Sequence, residues 1–359
     1  MSYLDDELTR RLLLRRGLTT LGAGMVGGSL LAACGDDADK NKASADSGAK
    51  TPAAGDGMPG KGKTIGVTLI GINEYVLGAA TGVIKELEAG GYDVKLLSSN
   101  FTPDGEIKNF QTFVSQGVDG IITLPVTSAS AARGALNAEK SSIPTVSLAW
   151  ASESPADDIL VGRVRLNNVT GGKKIAEWLS QNADPGEVLL VQGFPGNEFS
   201  DDFDKGLAQG LAEVGGGWKI VGKVPGQYLR DKAITAAQNL TTAHPKARVI
   251  VTSVAEMGVG VASYLQRKGA KNYTHVTSDG NTEMIDWMDK GFISADRYFS
   301  SATSGEMGAK MMRAHLESDK VTPPTDIPES METPDTIKAK VDQEPLVFQE
   351  HLAEAKKAA

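Results

Sequence analysis

Cysteine is almost absent: Cys34 is the only one in 359 residues. No intramolecular disulfide can form, so the fold must be held by its core. Histidine is scarce as well. His244, His275, His315 and His351 are scattered without ligand spacing, which argues against a metal site. Basic charge is in deficit, with 37 Lys and Arg against 45 Asp and Glu and a net charge of −8. That balance argues against a nucleic-acid partner, which needs clustered cations to displace counterions. A long apolar run is missing too. The stretch 18–31 is shorter than the about 20 apolar residues of a spanning helix and is rich in glycine. No nucleophile–base pair, Gly-x-Ser-x-Gly elbow or histidine–carboxylate spacing stands out. The reading is therefore of a chain without enzymatic activity and without a cofactor.

What the chain does have begins at its amino end. Arg10, Arg11, Arg15 and Arg16 lead into the weakly apolar stretch 18–31, and Leu30-Leu31-Ala32-Ala33 runs directly into Cys34, followed by Gly35-Asp36-Asp37. A basic cluster, a short apolar region and small residues before a lone cysteine are the marks of an export signal processed as a bacterial lipoprotein. Thr9-Arg10-Arg11-Leu12-Leu13-Leu14-Arg15 also resembles a twin-arginine export motif. Residues 1–33 are expected to be removed and Cys34 to carry lipid, anchoring the protein on the outer face of the cytoplasmic membrane. Removal takes four basic and three acidic residues and leaves a net charge of −9. No basic run follows Cys34, so membrane attachment would rest on the lipid.

Residues 34–63 are mostly Asp, Lys, Ala, Ser, Gly and Pro, a composition that cannot offset its own ordering entropy and reads as a tether. Beyond it, short apolar runs at 64–70, 93–97, 120–124, 145–148, 159–164, 188–191, 220–224, 249–252 and 275–277 alternate with helix-like stretches, among them 76–89, 106–116, 171–182, 204–214, 232–242 and 257–268. Strands apolar on both faces that alternate with helices imply parallel sheets covered on both sides. There are too many units for one small sheet, and a seam falls between Val164 and Asn167. The expected fold class is α/β, with two doubly wound parallel-sheet lobes joined by a multi-strand hinge. One lobe takes 64–165 with about 300–325, the other 166–299 with about 326–350. Pro323, Pro324, Pro328 and Pro334 make the late segment extended and hinge-like. Ligands of such sheets bind beyond the carboxyl ends of the strands.

Two nucleotide-binding patterns fail on context. Gly57-Met58-Pro59-Gly60-Lys61-Gly62-Lys63-Thr64 satisfies the P-loop expression, but a working P-loop follows a strand and opens a helix, whereas this one opens a strand. Gly22-Ala23-Gly24-Met25-Val26-Gly27 matches the dinucleotide fingerprint yet lies in the export signal with no strand before it.

Ile65-Gly66-Val67 leading to Asn73-Glu74-Tyr75, then Gln116-Gly117-Val118-Asp119-Gly120-Ile121-Ile122 and Ile143-Pro144-Thr145-Val146, form one half of a longer pattern. Asn167-Asn168-Val169-Thr170-Gly171-Gly172, Gly193-Phe194-Pro195-Gly196, Glu256-Met257-Gly258 and Ser278-Asp279-Gly280 form the other. Together they resemble the ribose-binding-protein-like, type I periplasmic solute-binding proteins of ABC importers, over roughly residues 64–320. The resemblance implies a monomeric two-lobed receptor that closes on a small polar ligand, most simply a sugar or polyol, and hands it to a membrane permease. A sensory receptor using the same lobes is the alternative, as is a nucleoside or other planar ligand.

Carried over position by position, the resemblance implies ligand contacts at Asn73 and Tyr75, an aromatic at Tyr228 and a hydroxyl-gripping carboxylate at Asp279. The sequence also departs from the family pattern. Ala149-Trp150 stands where sugar binders have Asp-Arg, and Phe203 where they have an arginine before Gly206. Val254-Ala255 replaces Asn-Asp, and Asn167 replaces the aspartate that opens the second lobe. Charged hydrogen bonders are lost and aromatic faces gained, so free ribose or glucose is not expected to bind tightly. The candidate contacts are thus Asn73, Tyr75, Trp150, Asn167, Phe203, Tyr228 and Asp279. Each has a structural alternative: a sheet-edge cap for Trp150, a helix cap for Asn167 and Asp279, a turn for Asn73, and core packing for Phe203 and Tyr228.

Overall fold

The structure, a computed structural model, describes residues 57–148 and 157–341. The export signal, Cys34, most of the tether and Trp150 lie outside the described residues. Among the described residues, twelve strands build two six-stranded sheets. In the first half, β1 (Thr64–Leu69), β2 (Asp93–Ser98), β3 (Gly120–Thr123), β4 (Thr145–Ser147) and β5 (Leu160–Arg165) alternate with α1 (Glu74–Ala89), α2 (Pro103–Gln116) and α3 (Ser128–Glu139). The second half repeats the plan. Here β6 (Glu187–Gln192), β7 (Lys219–Pro225), β8 (Val249–Thr252), β9 (Thr274–Ser278) and β10 (Ala295–Tyr298) alternate with α4 (Asn168–Asn182), α5 (Glu198–Val214), α6 (Arg230–Ala243), α7 (Ala255–Lys268) and α8 (Thr282–Asp289). The chain then forms α9 (Ser301–Ser318), β11 (Thr325–Asp326), β12 (Ser330–Glu332) and α10 (Ile337–Val341).

The sheet orders are β11-β5-β4-β3-β1-β2 and β12-β10-β9-β8-β6-β7, and every pairing is parallel except β12 against β10. Each sheet thus winds outward both ways from its first strand, with its switch point between β1 and β3 or between β6 and β8. β1, β3, β6 and β8 are buried almost throughout, as parallel strands covered on both faces must be. Each lobe accordingly has apolar packing on both sides of its sheet. Gly57–Lys63 forms turns that lead into β1, so the P-loop look-alike opens a strand and holds no phosphate-binding helix.

Three crossings link the lobes: β5 to α4, β10 to α9, and β11 to β12. α9 returns to pack on α1 of the first lobe, and the approach is close enough to require glycine. A Cβ on Gly82 would meet the Ala302 carbonyl oxygen at 2.0 Å, and one on Gly305 would meet that of Ala79 at 1.9 Å.

One buried arginine gathers the crossings. Arg297, 0% exposed at the end of β10, donates from Nε to Glu329 Oε2 at 2.7 Å, from Nη1 to Asn168 Oδ1 at 2.7 Å and from Nη2 to the Asn167 carbonyl at 3.4 Å. Its guanidinium lies 5.1 Å from the centre of the Phe299 ring. Asn167 and Asn168 belong to the first crossing, Phe299 to the second and Glu329 to the third. A planar fork with several fixed donors suits this three-way junction where an ammonium would not.

Candidate ligand-binding cleft

Between the lobes lies a cavity partly open to solvent. The first lobe contributes Ile70, Asn73, Tyr75 and Val76 after β1, Phe101 after β2, Leu124 and Pro125 after β3, and Leu148 after β4. The second contributes Asn197 and Phe199 after β6, Tyr228 after β7, Val254 after β8 and Asp279 after β9. Every lining residue follows the carboxyl end of a strand, where the switch points of both sheets face each other.

The two walls are built alike. Asn100 and Phe101 after β2 have φ of 51° and 58°, and Gln227 and Tyr228 after β7 have φ of 53° and 58°. Left-handed backbone at four non-glycine residues is uncommon and turns both rings toward the cleft. Glycines on the neighbouring strand ends admit these rings. A Cβ on Gly71 would sit 2.1 Å from the Phe101 ring, and one on Gly193 would sit 2.2 Å from the Tyr228 ring. Tyr228 is pinned further, donating from its hydroxyl to Asn197 Oδ1 at 3.0 Å and packing edge-on against Phe199 with centroids 6.1 Å apart. Burial, above all, pushes its phenol well above the usual range.

Polar groups are few. Asn73 caps α1, accepting from Val76 N at 2.9 Å. Asn197 caps α5 and donates across the cleft to the Val126 carbonyl at 2.7 Å. Two further bonds join the lobes: Thr282 N donates to Glu74 Oε1 at 2.7 Å, and the Ser128 hydroxyl donates to Glu198. The loop that presents Leu124 and Pro125 is held from beneath by Glu106, a fully buried carboxylate. It accepts from Thr123 Oγ1 at 2.9 Å, Val126 N at 3.0 Å and Ser130 Oγ at 2.5 Å. Burial raises the Glu106 pKa, and these donors oppose the shift.

Asp279 is the one carboxylate among the described lining residues and is 7% exposed. It does not cap the helix that follows it; Asn281 does that, accepting from Met284 N at 2.8 Å. Asp279 instead accepts from Ala255 N at 2.8 Å, supplying the cap that Val254 cannot give α7. Its φ is 75°. Burial raises its pKa well above the ordinary range; the Ala255 N–H opposes this, and the charges of Asp296, Glu256 and Glu74 reinforce it.

The candidate contacts therefore separate. Asn73, Tyr75, Tyr228 and Asp279 come together at the cavity. Phe203 does not: it is 0% exposed inside the core between α5 and the second sheet, because its turn of α5 faces the sheet rather than the cleft. Asn167 is exposed and caps α4, accepting from Thr170 N at 3.0 Å. It lies at the crossing, away from the cavity lining. Phe101, Asn197 and Phe199 were not anticipated. Asn197 directly follows the Gly193-Phe194-Pro195-Gly196 signature, whereas Phe101 carries no sequence signal, since its place depends on the left-handed backbone after β2.

Two doubly wound lobes, joined by three crossings and enclosing a cleft at the carboxyl ends of both sheets, define a hinged solute receptor. Residues 65–320 match the periplasmic binding protein domain, and the chain belongs to that family. Membership makes it a solute-binding protein rather than an enzyme.

It is similar to the ribose import binding protein of Escherichia coli (strain K12), 24% identical over 250 residues that cover 69% of this chain and 83% of that protein. The xylitol-binding protein of Mycolicibacterium smegmatis is 24% identical over 231 residues, 64% of this chain and 65% of that one. Among solved structures, a galactofuranose binding protein superposes with a TM-score of 0.74 at 20% identity, covering 80% of this chain and 99% of its own. The Caulobacter myo-inositol binding protein gives 0.71 at 19%, covering 77% and 95%.

Proposed function

We propose that this protein is the substrate-capturing component of an ABC importer for a sugar or polyol, held at the outer face of the cytoplasmic membrane by lipid on Cys34. The observation that carries the reading is the cleft itself: a carboxylate and two asparagines set among aromatic and aliphatic walls contributed by both lobes. Asn73 and Asp279 orient hydroxyls, and Tyr75, Phe101, Phe199 and Tyr228 cover C–H faces; Trp150, outside the described residues, stays a candidate contact from the sequence alone. Asn167 and Phe203 serve the hinge and the core. Closure about the three crossings presents the loaded lobes to a permease, with the receptor acting as a monomer.

A thermal-shift screen of the full-length protein against monosaccharides, deoxysugars, cyclitols, nucleosides and amino acids tests the ligand class. Ligand at 100 times its dissociation constant stabilises the fold by roughly 2.7 kcal/mol, enough to raise the melting point by several degrees. Sugars or polyols should give the hits. Hits restricted to nucleosides or amino acids would refute the ligand class, and retention of Cys34→Ser in the membrane fraction would refute the anchor.

A further inference from the structure

Among the described residues, the cavity is lined by an acid and by no base. Among its described lining residues Asp279 is the single charged side chain, and neither lysine nor arginine is present. The arginines of this side of the molecule are committed elsewhere. Arg230 holds Glu256 at 3.0 Å and Glu283 at 2.9 Å, and Arg297 is tied to Glu329 and Asn168. Among the described residues no lysine, arginine or histidine pairs with Asp279, and the charges that act on it most, Asp296, Glu256 and Glu74, are acids.

A neutral polyol would leave this carboxylate enclosed at closure with the Ala255 N–H and hydroxyl donors as its partners, and no countercharge. An ammonium group on the ligand would instead supply the missing countercharge in a site of low dielectric, where a charge-assisted hydrogen bond is stronger than a neutral one. The rings of Tyr75, Phe101, Phe199 and Tyr228 around the same cavity are further suited to a cation flanked by C–H groups.

We propose that the ligand is an amine-bearing polyol, an amino sugar, amino alditol or aminocyclitol, whose ammonium pairs with Asp279 while its carbon skeleton lies against the aromatic walls. This rests on the polyol reading above and narrows it. Titration calorimetry on the full-length protein with matched pairs tests it: glucosamine against glucose, glucamine against sorbitol, and inosamine against inositol, with N-acetylglucosamine as the uncharged nitrogen control. In at least one pair the amine binds about tenfold tighter than its neutral partner, the size of one charge-assisted bond, and acetylation removes the gain.

Asp279→Asn, which keeps the acceptor for Ala255 N and tolerates the positive φ, brings the ratio to about one. Neutral members binding as tightly as the amines would overturn the proposal and leave the polyol reading standing. A preference that survives Asp279→Asn would also overturn it. Binding of no member from either class would overturn both. If the variant does not fold, the wild-type ratios decide alone.

Discussion

Replacing Arg297 with methionine removes a side chain that touches all three crossings. The methionine fills much of the volume but leaves Asn168 Oδ1 and the Asn167 carbonyl without their donor and Glu329 without its fork. Breaking a buried ion pair from one side costs about 3–5 kcal/mol. Glu329 keeps Lys174 at 2.7 Å, so the lower end applies, about 3 kcal/mol. For a fold of this size each kcal/mol lowers the melting temperature by about 2–4 °C, which gives a drop of about 6–12 °C. Arg297→Lys keeps the charge but cannot span the three partners, and should fall between wild type and Arg297→Met. Urea denaturation is the assay, because an unchanged m-value assigns the loss to stability. A double-mutant cycle with Glu329→Gln should return a coupling above about 1 kcal/mol. Additive single effects, or a melting temperature within about 2 °C of wild type, would refute the junction.

Gly193→Ala places a Cβ 2.2 Å from Tyr228 Cε1, and the pinned ring cannot retreat, so melting should show about 1–3 kcal/mol of overpacking. Tyr228→Phe, which loses the hydroxyl's bond to Asn197, should cost about 1 kcal/mol. Glu106→Gln sets an amide donor among three converging donors and leaves one orphaned, for about 1–3 kcal/mol in a denaturant titration. His275 is fully buried, and its Nδ1 lies 3.0 Å from the Phe292 carbonyl, to which the neutral ring donates. Burial lowers its pKa to about 4 from 6.5. The folded pKa lies below the unfolded one, so the unfolded chain binds the extra proton. Stability is then intact above pH 6.5 and falls by about 3 kcal/mol as pH drops toward 4. Across that window the melting temperature should fall with pH for wild type and fall less for His275→Gln.

The strands were legible because a parallel strand covered on both faces must be apolar throughout; 188–191 and 249–252 are read directly from Val, Leu and Ile. Helices α3 and α9 give a weaker pattern, since they bury Ala, Gly and Ser, whose short side chains mark close packing rather than an apolar stripe. β11 and β12, two and three residues long, exist only because the chain returns through the hinge, and nothing local announces them. In the cleft, Asn73 and Asp279 were legible through the family resemblance, and both line the cavity. Phe203 misled because spacing on a helix fixes a residue's turn but not which neighbour that turn faces. Phe101 was invisible because a left-handed pair at a strand end leaves no mark in composition.

The matched glycine and ring on each side, Gly71 with Phe101 and Gly193 with Tyr228, mean that each jaw of the receptor is finished before the jaws meet. The rings are clamped to their own sheets and travel with them as rigid cargo. Little side-chain ordering is left for the moment of capture. What remains to be settled on binding is the rotation of two solid halves about three strands, so the capture rate is set by the hinge and the grip by surfaces shaped during folding.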